Sequence, residues 1–389
     1  MHRDSKIIGV NCVIAVIVAF YLADVAIRLV LVPSADDLAK RRDAMLSQVR
    51  ANVAAGGESA TPVITPRNLI DGDRAVPLLP LGGLPNRTTV FCDEGGGMVR
   101  YRSDEHGFNN PPGIWSLRPA DVLLIGDSYV HGACVPNEAA MANYIRARFT
   151  KTVNLGMAGN GPLLNLAALS EFGPSLAPKL VAWFFTVDND FQDLEVERTV
   201  PILDKVAMSD FRQNLVSRQT EADGILESYL TRFTTAAAAT PDVYRDVVDV
   251  RQPINWRDIA TLGAVRRALG ISFSKPVRDY QGIANVLQVA RERAAKWDGR
   301  LVLIYVPSSS SFFGFGRVDR TDRFIEDGVA EIAAGLGIPF LNGAEILRAA
   351  PDHDELYYYL GSHMTPLGNE IFGKAVADFL SRWMPPSSH

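Results

Sequence analysis

The stretch "VLLIGDSYV", Val122 to Val130, runs from apolar residues into Gly126-Asp127-Ser128. A serine on a tight turn beyond a buried strand holds its hydroxyl at the edge of a sheet, where it could attack a carbonyl. A free hydroxyl is a weak nucleophile, so this chemistry needs a base to take its proton and donors to hold an oxyanion. The alternative is an ordinary turn or N-cap serine. The stretch is not the G-x-S-x-G elbow, because Val130 stands where the second glycine would be.

The histidines are His2, His106, His131, His353, His363 and His389. His2 and His389 are terminal, and His353 lies in a polar loop. His131 stands close to Ser128 in sequence, but local spacing does not aim its ring at the hydroxyl. It is expected to cap a turn or line the pocket. His363 lies in "GSHMTPLGN", before a helix that Thr365 caps and Pro366 opens. Leu367, Ile371, Phe372, Ala375 and Phe379 give that helix a core-facing stripe. His363 is therefore the best-placed base.

Two further segments offer oxyanion donors. "GMAGNGP", Gly156 to Pro162, reverses the spacing of the dinucleotide fingerprint and has no acid placed for a ribose. Gly156 reads as a backbone N–H donor rather than part of a phosphate cradle. In "TVDNDFQDLE", Asn189 could donate a side-chain N–H. Asp188, Asp190, Asp193 and Glu195 lack the glycine and spacing of a calcium loop, and read as a solvated acidic turn.

These residues must be positioned by a scaffold. Five apolar runs, "DVLLI" (121–125), "TVNL" (152–155), "LVAWFF" (180–185), "RLVLIYV" (300–306) and "IPFL" (338–341), alternate with helical sequence. Runs without polar alternation suit strands buried on both faces, as in a parallel sheet. The pattern predicts an α/β, flavodoxin-like, doubly wound domain with five parallel strands, over 116–198 and 297–385. In such folds ligands sit beyond the carboxyl ends of the strands, where the candidate residues fall. Residues 199–296 break the alternation and read as a helical insertion.

The chain has 389 residues and a net charge of −5, with no dominant basic patch, so nucleic acid is not expected as a partner. Ile7 to Ala23 carries no charge, and the apolar character continues to Val32, interrupted by Asp24 and Arg28. Residues 1–33 are expected to be an uncleaved, single-pass membrane helix. Asp24 and Arg28 share one helix face and could pair at the interface. A cleaved signal peptide is the rival, but Asp24 would occupy the −3 position for cleavage after Ala26. Arg3 and Lys6 precede the span, while Arg28, Lys40, Arg41 and Arg42 follow it, so charge alone does not orient it. Residues 34–115 read as a juxtamembrane helix, with Leu38, Met45, Leu46, Val49 and Val53 on one side, and an extended Gly/Pro-rich lead-in. Cys12 falls in the span. Cys92 and Cys134 are a candidate disulfide if the domain is exported, or two unrelated buried thiols.

Taken together, the motifs resemble the SGNH (GDSL-type) hydrolase superfamily. Gly126-Asp127-Ser128 matches the nucleophile block, and Gly156 in "NLGMAGNGP" the glycine block. "DND", 188–190, stands for the G-x-N-D block, and His363 in "HMTPLGN" for the last block. They occur in the family's order over about 120 to 380. "FCDEGGGMVRYRSDEHGFNNP" resembles the lead-in of membrane-anchored bacterial members. That resemblance implies a periplasmic domain on the bacterial inner membrane, which supports the Cys92–Cys134 pairing.

The resemblance implies a serine esterase or O-acyltransferase acting on acyl esters, above all acetyl esters of a cell-envelope glycan. Ser128 would be the nucleophile and His363 the base. The Ser128 N–H, the Gly156 N–H and the Asn189 amide would form the oxyanion hole. No metal or organic cofactor is implied, and the partners are a small ester or acylated glycan and the membrane. Two features depart from the family. The positions where an acid usually precedes the histidine hold Leu360 and Gly361, so Asp352, Asp354 or Glu355 would have to fold back, or a Ser-His dyad would be steadied by a backbone carbonyl. Asp188 replaces the usual glycine, and its charge would oppose an oxyanion. These departures leave a catalytically weakened glycan-binding or assembly protein as one alternative. A lipid esterase, with the insertion as a lid, is another.

Overall fold

The five apolar runs become one parallel sheet in the computed structural model, which describes residues 2–30, 44, 47–55, 60–235, 256–268, 278–312, 320–352, 355–359 and 361–385. A small sheet precedes it: β1 (Ala60–Pro62), β2 (Thr88–Val90) and β3 (Arg100–Arg102). The main sheet contains β4 (Val122–Ile125), β5 (Thr152–Asn154), β6 (Leu180–Thr186), β7 (Arg300–Val306) and β8 (Phe340–Asn342), in the order β5-β4-β6-β7-β8. All of its pairings are parallel. This is the flavodoxin-like order, with its switch point between β4 and β6.

The unbroken apolar runs have a direct structural reason. Side chains alternate across a strand, so a strand covered on both faces must be apolar throughout. Leu123, Ile125, Val181, Trp183, Phe185, Leu301 and Leu303 pack into one core. Val122, Leu124, Ala182, Phe184, Val302 and Ile304 pack into the other. Helices Pro162–Leu176 and Tyr280–Ala295 cover the first face, and Met141–Arg148 and Pro366–Trp383 the second. Each large apolar side chain buried in this way stabilises the fold by about 1.5–3 kcal/mol.

Within the expected helical insertion, Tyr280–Ala295 sends Ile283, Val286, Leu287, Ala290 and Ala294 into the first core. This helix is the crossover from β6 to β7 and belongs to the sheet domain. The lead-in is a folded wrap rather than a loose linker. Its Leu78, Leu79 and Leu81 are fully buried in the main core. Residues 47–55 are helical, with Val49 buried, while Leu38, Met45 and Leu46 lie outside the described residues. In helix Pro366–Trp383 the fully buried stripe is Phe372, Val376, Phe379 and Leu380, and Leu367 and Ile371 are only partly covered.

One N-terminal helix, with the apolar stretch Ile7–Ile27, is long and apolar enough to cross a membrane. Its apolar side chains are exposed, as expected of a helix that meets lipid rather than core.

Candidate active site

Gly126 lets the chain turn sharply out of β4, because a Cβ there would lie 2.5 Å from Val130 Cγ2. Asp127 follows, fully buried, and its carboxylate accepts the Tyr129 N–H at 3.1 Å. Burial raises the Asp127 pKa, against the Tyr129 N–H, the His363 charge and the Thr186 and Asn189 side chains, which lower it. Ser128 then opens the short helix Ser128–His131. Its backbone N–H falls in the first turn, where helical N–H groups have no intrahelical acceptor.

The Ser128 hydroxyl lies 2.8 Å from His363 Nε2. His363 arrives from the far end of the chain, in the turn before helix Pro366–Trp383, whose N-cap Thr365 accepts from the Gly368 N–H. Its side chain is 24% exposed, so the pair is open to a ligand. Tyr129 packs against the imidazole with ring centroids 5.1 Å apart.

The carboxylate that faces His363 is Glu94, which the sequence reading did not single out. Glu94 Oε1 lies 2.9 Å from His363 Nδ1, and Oε2 accepts the His363 backbone N–H at 2.7 Å. Both oxygens hold one residue, so the ring's orientation and tautomer are fixed together. A proton on Nδ1, shared with Glu94, leaves Nε2 free to accept from Ser128. The expected acids are corrected accordingly. Asp352 and Glu355 lie on an exposed turn whose contacts run elsewhere, with the Glu355 carbonyl accepting from Thr365 Oγ1. Asp354 and His353 lie outside the described residues.

Glu94 is held there by a strap, "CDEGGG". The Asp93 carboxylate accepts the Gly95 and Gly97 N–H groups at 2.8 and 3.1 Å. Gly95 and Gly97 have φ of +115° and +93°, a region that side-chain-bearing residues rarely enter. One end of the strap is tied by the Cys92–Cys134 disulfide, which is present as expected. Tyr358 reaches across, its hydroxyl donating to the Cys134 carbonyl at 3.2 Å. The Ser128 helix and the Glu94 strap are thus stapled to each other. The bond spans 42 residues of sequence, and closing such a loop stabilises by about 3–4 kcal/mol. Replacing both cysteines by serine is expected to lower the unfolding free energy by about that amount in chemical denaturation. An unchanged denaturation midpoint and slope would show that the staple bears no load.

Burial pushes the His363 pKa down, but the charge and hydrogen bond of Glu94, then the charges of Asp127 and Asp188, outweigh it and leave it raised. His131 behaves differently. It is fully buried, its Nδ1 accepts the Ala158 N–H at 3.1 Å, and its Nε2 lies 2.7 Å from the Tyr101 hydroxyl. Burial lowers its pKa to about 3, so it stays neutral as a structural link between β3 and the glycine loop.

The remaining candidates divide. The Gly156 N–H donates to Asn154 Oδ1 at 2.8 Å, so it is not the free donor expected. Gly156 is glycine for closeness: a Cβ would lie 2.6 Å from Val130 Cβ. Asn189 begins helix Asp190–Glu197 after β6, and its side chain is near enough to the Asp127 carboxyl to help hold that group's pKa down. The acidic turn is solvated only in part, with Glu195 exposed and Asp188 half-buried. Asp190 and Asp193 are buried, Asp190 accepting the Thr186 N–H and Asp193 pairing with Arg67 at 2.6 Å. Glu197 caps helix Pro162–Leu176 through the Gly161 and Leu163 N–H groups, and burial, then Asp193, raises its pKa to about 8. Glu94, Cys134 and His363 bring possible metal-ligand atoms within 4.8 Å of one another. The Cys134 sulfur is in the disulfide, however, and offers no thiolate.

Comparison with family models finds no match, and neither does comparison with curated proteins. Solved structures do match. One is a lipase/acylhydrolase from Enterococcus faecalis, with a TM-score of 0.38 and 13% identity, covering 69% of this chain and 100% of its own. A member of the lipolytic protein G-D-S-L family from Veillonella parvula has a TM-score of 0.37 and 12% identity, covering 68% and 99%. The carbohydrate acetylesterase Est24 from Sinorhizobium meliloti has a TM-score of 0.35 and 13% identity, covering 68% and 99%. With likeness this distant, the functional reading rests on the site's own geometry.

Proposed function

We propose that this SGNH-type chain is a serine esterase whose triad is Ser128, His363 and Glu94. The observation that carries the reading is the continuous relay from Ser128 Oγ through His363 to Glu94, with contacts of 2.8 and 2.9 Å. Ser128 attacks the ester carbonyl as His363 Nε2 takes its proton, and Glu94 stabilises the imidazolium that forms. The oxyanion meets the Ser128 N–H and the side-chain amide of Asn189. His363 then gives its proton to the departing alcohol. A water, or a sugar hydroxyl in the transfer version, attacks the acyl-enzyme by the same route.

The substrate we favour is a small acyl ester, acetyl first, on a cell-envelope glycan, with the domain held outside the inner membrane by the N-terminal helix. The disulfide supports an oxidising compartment. The presence of Glu94 removes the main reason for a weakened, binding-only protein, since the missing acid is supplied from another part of the chain. Asp188 still lowers the expected strength of the oxyanion site. The purified full chain is expected to release the phenol from an aryl acetate, and more slowly from aryl esters of longer acyl chains. No turnover of any chain length above an enzyme-free blank would overturn the esterase reading.

A further inference from the structure

Asp24 lies within the apolar helix His2–Val30, near the end of the stretch Ile7–Ile27, and is fully buried. A carboxylate inside a membrane span is costly unless it is satisfied, most at the bilayer centre and less toward the ends. Here it is satisfied by backbone of the insertion. Asp24 Oδ1 accepts the Ala264 N–H at 2.7 Å and the Val265 N–H at 3.0 Å. About one turn earlier, the Tyr21 hydroxyl donates to the Ala260 carbonyl at 3.1 Å.

These contacts bring two short helices of the insertion, Trp256–Ala260 and Gly263–Ala268, against the last two turns of the apolar helix. Whatever depth Tyr21 and Asp24 occupy, these helices share it. Trp256 stands one turn before Ala260, about 6 Å along its helix, so its ring stays near the level at which the apolar helix ends. Its side chain is 71% exposed. An exposed tryptophan beside the end of a span matches the aromatic belts found where membrane meets water.

We propose that helices Trp256–Ala260 and Gly263–Ala268 form a second bilayer contact, with Trp256 seated among headgroups and upper acyl chains. Asp24 and Tyr21 pin this element to the anchor, so the two meet the bilayer as one unit. The inference rests on the N-terminal helix spanning the membrane. The occupant is a phospholipid bilayer, and its continuity with the exposed apolar surface of the anchor argues for it.

The test uses the full chain in phosphatidylcholine vesicles, with lipids brominated on the upper acyl chain as fluorescence quenchers. Quenching is expected in the wild type, lost in Trp256→Phe and kept in Trp383→Phe, which removes another exposed tryptophan. Ester hydrolysis should be unchanged in Trp256→Phe. Equal quenching in wild type and Trp256→Phe, or none in a wild type that floats with the vesicles, would overturn the second contact while leaving the anchor standing. A chain that does not float with vesicles overturns both.

Discussion

Glu94→Gln is expected to lower kcat for ester hydrolysis by about 10³–10⁴-fold, with little change in KM. The reason is geometric. Glu94 uses one oxygen on His363 Nδ1 and the other on the His363 backbone N–H. An amide cannot satisfy both while keeping the productive tautomer. If its oxygen faces the backbone N–H, its NH₂ faces Nδ1, and the ring proton moves to Nε2, where it blocks acceptance from Ser128. If its oxygen faces Nδ1, two donors oppose each other at the backbone. The pH profile gives a second readout that a merely structural role would not move. Glu94 raises the His363 pKa, and the base must be neutral to act, so the wild-type rate rises at a correspondingly higher pH. Removing the charge lowers that pKa, and the rising limb of the residual activity should shift to lower pH. A limb that stays in place, or kcat within tenfold of wild type, would remove Glu94 from the triad.

Ser128→Ala is expected to have the largest effect of any single substitution, about 10⁵–10⁶-fold in kcat. What survives is catalysis by binding and by the oxyanion donors, without an acyl-enzyme. The loss should come without loss of fold. Ser128 makes its side-chain contact to His363 at the open face of the site, and the helix it opens is set by Asp127 and Gly132 at its two ends. A variant with an unchanged thermal midpoint and wild-type turnover would mean that another residue does the chemistry.

The sheet was legible because strands buried on both faces cannot hide their composition. β4 is apolar throughout for that reason, as are β6 and β7 but for Thr186 and Arg300 at their ends, and the ends of β4 and β6 sit at the switch point where Ser128 and Asn189 stand. His363 was legible from its place before the capped last helix. Glu94 was not, because the positions just before the histidine hold Leu360 and Gly361. Tertiary contact, not local spacing, brings Glu94 in. A signal did exist: the candidate bond from Cys92 to Cys134 ties residue 94 to the segment that follows Ser128, and the glycines after it allow a sharp strap. The acidic turn was misread for a related cause. Charge runs are ordinarily solvated, and Glu195 is exposed, but Asp190 and Asp193 serve the Thr186 N–H and Arg67 inside the fold, which composition does not reveal.

The central claim is that Ser128 is activated by His363 only while Glu94, delivered by the N-terminal strap, holds the ring. The most direct measurement is the second-order rate of labelling by a fluorophosphonate, with the adduct mapped by peptide mass spectrometry. A single adduct on Ser128 is expected. Its rate should fall by about 10³-fold in Glu94→Gln and stay near wild type in Asp352→Asn and Glu355→Gln. An adduct on another residue, or labelling of Glu94→Gln at the wild-type rate, would contradict the account.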